Sequence, residues 1–341
     1  MFSRAVRLVA ASAVALAAAT AGCAAEGAGG AAGGEATATA SAKESGTRVF
    51  RADNGKITIP KDAKRVVATG YAVPALIEAD APLVGISTWK RGVPLMNPEN
   101  LATYEGLEKV AGELASETNY EAIAEVRPDL IVIGVPAPAL GDIDIARLES
   151  VAPVVAIGPT VPSAWRELSR RQADAAGASE QFAATKAAYD AKAAKFAEKY
   201  KGVLPQLKLA HVGAYGEIDK GNFQREFDGS WGTNIANDIG ATYYGEVKEK
   251  GGGSRDVSEY PSIEELPTAF AQADALTYSV AADGSIPPPV RYAMDSELWK
   301  GLPAVKAGRT YPVRYTEAAT YEQAMQTLDA LDKAFAPLLA P

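Results

Sequence analysis

Histidine and cysteine are all but missing: the 341 residues hold one of each, His211 and Cys23. Direct zinc binding gathers several imidazoles or thiolates around one ion, so a bare-zinc site has no ligand set here. A single cysteine also forms no internal disulfide. A Ser-His-Asp triad would depend wholly on His211, which sits inside the apolar run Leu207–Tyr215 and reads as a satisfied core side chain. Gly-x-Ser-x-Gly, His-Glu-x-x-His and a glycine-rich phosphate loop are absent as well. Basic residues are outnumbered, 34 against 42 acids, for a formal charge of −8. With no basic stripe to release counterions, nucleic acid is excluded as a partner, and charge alone holds the chain to no anionic membrane.

The N-terminus does carry a signal. Met1–Arg7 is short and basic, and Leu8–Ala19 is apolar but too short to span a bilayer. Thr20-Ala21-Gly22 then precedes Cys23, a pattern similar to a bacterial lipobox, which implies a lipoprotein signal peptide over 1–22 and a lipidated Cys23. Residues 23–46 are almost all Ala, Gly, Glu, Ser and Thr and bury too little to order themselves. They read as a flexible, lipid-anchored tether reaching roughly 25–30 Å.

Folding is expected from residue 47. Asp53-Asn54-Gly55 between Thr47–Phe50 and Lys56–Ile59 predicts a hairpin. Short apolar runs follow at Arg65–Ala68, Leu83–Ile86, Leu130–Ile133 and Val154–Ile157, separated by helical stretches including Val73–Asp80 and Asn119–Val126, with Ser163–Ala176 closing the series. Buried runs alternating with helices predict parallel strands. From Ser179 to Gly202 one helix is expected, with Ser179 as its cap and Phe182, Tyr189, Ala193, Phe196 and Tyr200 as an apolar stripe. It would span roughly 33 Å. Beyond it the pattern restarts, with strands at Leu207–Tyr215, Thr242–Tyr244, Ala275–Val280 and Thr310–Val313 and helices at Trp231–Ile239, Ser262–Gln272 and Glu317–Ala336. The expected fold is α/β, two Rossmann-like lobes (47–178 and 203–341) joined by a single long helix (179–202).

Six segments stand out in their order along the chain: Ile59–Val67, Leu83–Ser87, Asn119–Val132, Trp165, Asn237–Ala241 and Trp299–Tyr311. That order resembles the helix-linked, class III substrate-binding proteins of bacterial ABC importers, in the branch that captures ferric siderophores. The resemblance implies a cleft between the lobes, little hinge movement, and a lipid-tethered monomer on the outer face of the cell membrane that feeds permease subunits. It implies no cofactor and no protein metal ligands, because the siderophore holds the iron.

Cleft residues are then expected in loops beyond the strand C-termini. From the N-terminal lobe these are Tyr71, Trp89, Lys90, Arg91, Pro136 and Ala137; from the C-terminal lobe, Tyr215, Glu217, Phe223, Arg225, Phe227, Trp231 and Tyr278. Arg291 and Arg314 lie in later loops that reach the same region. Aromatic faces suit methylene linkers, and Arg and Tyr donate to oxygens around iron. Basic residues mixed with Glu217, Asp219 and Asp228 favour a neutral or cationic hydroxamate complex such as a ferrioxamine over a trianionic catecholate. The resemblance also implies one permease-docking acid on each lobe, for which Glu78 and Asp238 are the expected residues. The alternatives are an importer protein binding haem or cobalamin, or a secreted hydrolase using paired carboxylates such as Glu264 and Glu265.

Overall fold

The structure, a computed structural model, describes residues 46–339. The signal peptide, Cys23 and nearly all of the expected tether lie outside the described residues. The chain opens with an antiparallel hairpin, β1 (Thr47–Ala52) and β2 (Gly55–Pro60), paired from Thr47↔Pro60 to Ala52↔Gly55. Its tip is tied down: the Asn54 side chain exchanges hydrogen bonds with the backbone at Val154 and Ala156, and Asp53 pairs with Arg171 at 2.8 Å.

The first sheet follows. Its elements are β3 (Val66–Gly70), α1 (Ala72–Glu78), β4 (Leu83–Ser87), α2 (Pro98–Gly106), β5 (Lys109–Ala111), α3 (Tyr120–Glu125), β6 (Leu130–Gly134), α4 (Ile145–Glu149) and β7 (Val154–Ala156). All neighbours pair parallel, in the order β5-β4-β3-β6-β7. Strands β3, β6 and β7 are buried along their whole length, which is why they read as unbroken Val/Ile runs. Asn97, Asn119 and Asp144 cap the helices that follow them through their side-chain oxygens. The order reverses between β3 and β6, so a crevice opens beyond their C-terminal ends.

Helices α5 (Trp165–Ala175) and α6 (Ser179–Tyr200) then leave the sheet. Helix α6 buries Phe182, Tyr189, Ala193, Phe196 and Tyr200, the stripe its periodicity predicts. Its start differs from expectation, because Ser179 is already the first helical residue and caps nothing. The turn is made by Gly177, at φ 74°, and the Ala178 N–H donates to Ala173 O, so the end of α5 supplies the junction.

The second sheet comprises β8 (Lys208–Gly213), β9 (Gln224–Glu226), α7 (Asn234–Asn237), β10 (Thr242–Tyr243), β11 (Ser258–Glu259), α8 (Leu266–Ala269), β12 (Ala275–Ser279), α9 (Pro288–Asp295), α10 (Glu297–Lys300), α11 (Pro303–Lys306) and β13 (Thr310–Val313), and α12 (Tyr321–Phe335) closes the chain. The order is β11-β9-β8-β12-β13, with β10 parallel to the start of β8 and β9 antiparallel to its end. The helices expected over 231–239 and 262–272 shrink to the four-residue α7 and α8, each flanked by tight turns. Helix α12 packs on α6, and Trp165, Phe182, Tyr189 and Tyr321 interlock edge to face where α5, α6 and α12 meet. The outcome is two α/β layers held by one long helix. None of the described helices is long and apolar enough to cross a membrane.

Candidate functional site

Tyr71 stands at the crevice between β3 and β6. Gly70 ends β3 at φ 60°, and a Cβ there would come within 2.6 Å of Gly134 O, so only glycine lets the two strand ends approach this closely. The Tyr71 N–H donates to that same carbonyl at 2.9 Å. The neighbouring β4 ends at Ser87, whose hydroxyl accepts the Gly70 N–H, and its loop presents Trp89 edge-on to Tyr71, centroids 4.9 Å apart. The Arg91 guanidinium covers both rings, 4.0 Å from the Trp89 centroid and 4.6 Å from that of Tyr71.

The second sheet supplies the opposite wall. Tyr215 follows β8, its N–H donating to Gln224 Oε1 at 2.7 Å. Trp231 sits in the hydrogen-bonded turn after β9, 4.5 Å from Tyr215 and stacked at 6.5 Å and 14° on Tyr71. A row of rings, Trp89–Tyr71–Trp231–Tyr215, therefore crosses from one sheet to the other. Two hollows open beside it. One of about 430 Å³ is lined by Arg91, Leu95, Val280, Asp283, Thr316 and Glu317. The other, of about 220 Å³, is lined by Tyr215, Glu226, Trp231, Ser279, Thr316 and Glu317. The larger lies within the roughly 300–1,000 Å³ of small-molecule sites. A larger hollow, about 800 Å³, runs along β13 and α12 but touches none of the four rings and is no part of this site.

Burial dominates the electrostatics. It pushes the Tyr71 hydroxyl up, and it raises the Glu226 carboxyl to about 7 despite the Gly232 N–H donated to it. Glu317 is raised for the same reason, with Arg91 pulling the other way. His211 is fully buried, its ring nitrogens 2.8 Å from Thr277 Oγ1 and 3.0 Å from Ser279 Oγ, and desolvation drops it to about 3. Both nitrogens are occupied, so this histidine offers nothing to a haem iron.

Of the expected cleft residues, the structure gathers Tyr71, Trp89, Arg91, Tyr215 and Trp231 around the ring row. Lys90, Pro136, Ala137, Glu217 and Arg291 are exposed and line none of these hollows, and Arg314 borders the hollow along β13. Tyr278 is half-buried against the core of the second sheet. Three expectations need correction, those for Phe223, Arg225 and Phe227, the last buried under the Arg225 guanidinium and lining none of these hollows. Phe223 has no exposure and packs edge-on against Phe270 at 5.5 Å. Arg225 stacks on Phe227 at 4.6 Å and on Tyr244 at 5.2 Å and pairs with Glu259, inside its own half of the molecule. The reason is strand alternation: in and beside β9, residues 223, 225 and 227 share one face, and Gln224 and Glu226 share the other, toward the gap. A two-residue period at Phe223–Phe227 was the available signal for Glu226; Glu317, in the loop past β13, had none.

The expected docking acids both have internal partners. Glu78 turns inward and accepts the Glu322 N–H at 3.1 Å at the start of α12, with burial raising it to about 7, so it is not a free surface acid. Asp238 pairs with Arg166 and accepts the Tyr189 hydroxyl, leaving its side chain 31% exposed.

A periodic pattern of this extent has relatives. A model of the periplasmic binding protein family matches residues 66–314. The iron(3+)-hydroxamate-binding proteins YxeB and FhuD of Bacillus subtilis (strain 168) are 25% and 28% identical, over 81% and 80% of this chain and 80% and 81% of theirs. The siderophore periplasmic binding protein from the fuscachelin gene cluster of Thermobifida fusca superposes with a TM-score of 0.64 at 27% identity, covering 82% of this chain and 98% of that one. Staphylococcus aureus SirA, solved with staphyloferrin B, shares the fold with a TM-score of 0.64 at 20% identity, covering 85% of this chain and 99% of its own.

Proposed function

Because the chain belongs to the periplasmic binding protein family, we propose that it captures a ferric siderophore of the hydroxamate class, such as a ferrioxamine, and delivers it to an ABC importer. One observation carries the ligand class: two iron(3+)-hydroxamate-binding proteins match over at least 80% of either chain. The family is one of substrate-binding proteins, and no reaction is assigned to this one.

In a ferric hydroxamate the small molecule encloses the iron. The protein then has to supply apolar surface for the linkers and donors for the outward oxygens. Tyr71, Trp89, Trp231 and Tyr215 supply the first, and the Arg91 guanidinium and the Trp231 indole N–H, unpartnered among the described residues, supply the second. We take residues 47–178 and 203–341 as the two gripping lobes and 179–202 as the rigid link between them. A 22-residue helix with a buried stripe resists bending, so selectivity falls to a largely pre-formed site. The same reading makes Cys23 the lipid attachment point on the outer face of the cell membrane, and the permease subunits the partners of a monomer, with Asp238 as a docking acid.

Tryptophan-fluorescence titration tests the ligand class. Ferric trihydroxamates should quench at micromolar concentration, whereas ferric tris-catecholates, haem and cobalamin should not. Quenching by haem or cobalamin, with no response to any ferric hydroxamate, replaces the reading.

A further inference from the structure

We propose that the hollow between Glu226 and Glu317 receives a protonated amine carried by the bound chelate, so that the protein selects hydroxamate siderophores with a cationic arm. This rests on the ligand reading above and narrows it.

The argument starts from β9. Its alternation turns Glu226 away from the solvent edge, where a carboxylate belongs, and into the protein, where it is 2% exposed yet still lines the 220 Å³ hollow. The backbone makes room for it. A Cβ on Gly213 would lie 2.0 Å from Glu226 Oε1, so any other residue there would displace the carboxylate. Glu226 accepts the Gly232 N–H through Oε2, but no lysine, arginine or histidine pairs with it among the described residues. Taking a carboxylate out of water without a counter-charge costs several kcal/mol, more than one neutral hydrogen bond returns. Unlike the buried Glu78, Glu226 lines an open hollow, where a cation from outside can supply the missing charge.

Glu317, exposed at the rim, lines the same hollow and has no ion-pair partner among the described residues; Arg91, which lines the neighbouring hollow with it, spreads its guanidinium over Trp89 and Tyr71. Trp231 adds an independent sign of a missing ligand. Its side chain lines the hollow, the residue is 6% exposed, and its indole N–H is buried with no acceptor among the described residues. The wall thus holds an unmatched donor beside two carboxylates without counter-ions. A hydroxamate or amide oxygen next to an ammonium satisfies all three.

Charge balance points the same way. The two hollows carry Glu226, Glu317 and Asp283 against Arg91 alone. Three hydroxamates neutralise ferric iron, so a chelate bearing one ammonium arrives with a single positive charge, whereas a ferric tris-catecholate is a trianion and is repelled.

The test compares two probes on the full chain: the ferric complex of a linear trihydroxamate ending in a free primary amine, and the same complex with that amine N-acetylated. The amine form should bind at least about tenfold more tightly, and Glu226→Gln and Glu317→Gln should each pull the affinity ratio toward one. Glu317 lies at the rim, so its variant keeps the test meaningful if Glu226→Gln folds poorly. Equal affinity for the two complexes, or a ratio unchanged in Glu317→Gln, overturns the ammonium site while leaving the siderophore reading intact. Failure to bind either complex overturns the siderophore reading, and this inference with it.

Discussion

Lowering the pH from 7.5 to 5 should stabilise this protein, and the balance can be worked out from three buried groups. His211 is held at about 3, against an ordinary 6.5. The unfolded chain therefore takes up a proton that the folded one refuses, and stability is lost as pH falls through 6.5, by about 2 kcal/mol at pH 5. Glu78 and Glu226 act in the opposite sense. Burial raises each from 4.5 to about 7, so the folded chain binds protons first and gains stability as pH falls through 7, by about 2 kcal/mol apiece at pH 5. The net gain is about 2 kcal/mol. Urea unfolding at the two pH values measures it, and paired variants isolate each group, since surface carboxylates common to both proteins cancel. His211→Gln, which can still hydrogen-bond Thr277 and Ser279, should roughly double the gain; Glu226→Gln should nearly abolish it. If His211→Gln leaves the pH dependence unchanged, the histidine is not the sealed, neutral core side chain inferred from its contacts.

Three further variants separate core from cleft and address the anchor. Phe223→Ala should cost about 3–5 kcal/mol of stability, read by thermal unfolding, yet leave chelate affinity in the folded protein unchanged; Trp231→Ala should weaken ferric hydroxamate binding by about 1–3 kcal/mol, read by titration. Cys23→Ser should release the protein from membranes into the medium in cell fractionation; retention in the membrane fraction would remove Cys23 as the attachment point.

Much of the architecture was legible in local patterning. The stripe of α6 was visible because an amphipathic helix repeats its apolar residues wherever it packs. The parallel strands were visible because sheets covered on both faces demand uninterrupted Val and Ile. Tyr71, Trp89 and Tyr215 could be nominated because loops beyond parallel strand ends are where clefts form. Strand β9 escaped notice, since Gln224-Arg225-Glu226 carries no apolar run, and its alternation acquires meaning only once the strand pairs antiparallel with β8.

Periodicity and composition thus settled the long helix α6 and the buried parallel strands, and the scarcity of histidine and cysteine left a bare-zinc site without its ligand set. Those properties are local, since a helix or a buried strand imposes its repeat on neighbouring residues. Strand pairing and chain return decided which faces meet. Strand β9 shares one edge of β8 with β10, burying Phe223 and Arg225 and turning Glu226 toward the gap, and the loop after β13 brings Glu317 to within one hollow of it. Contacts between residues some ninety positions apart leave no repeat along the chain, and so the charge of the candidate site emerged only from the folded molecule.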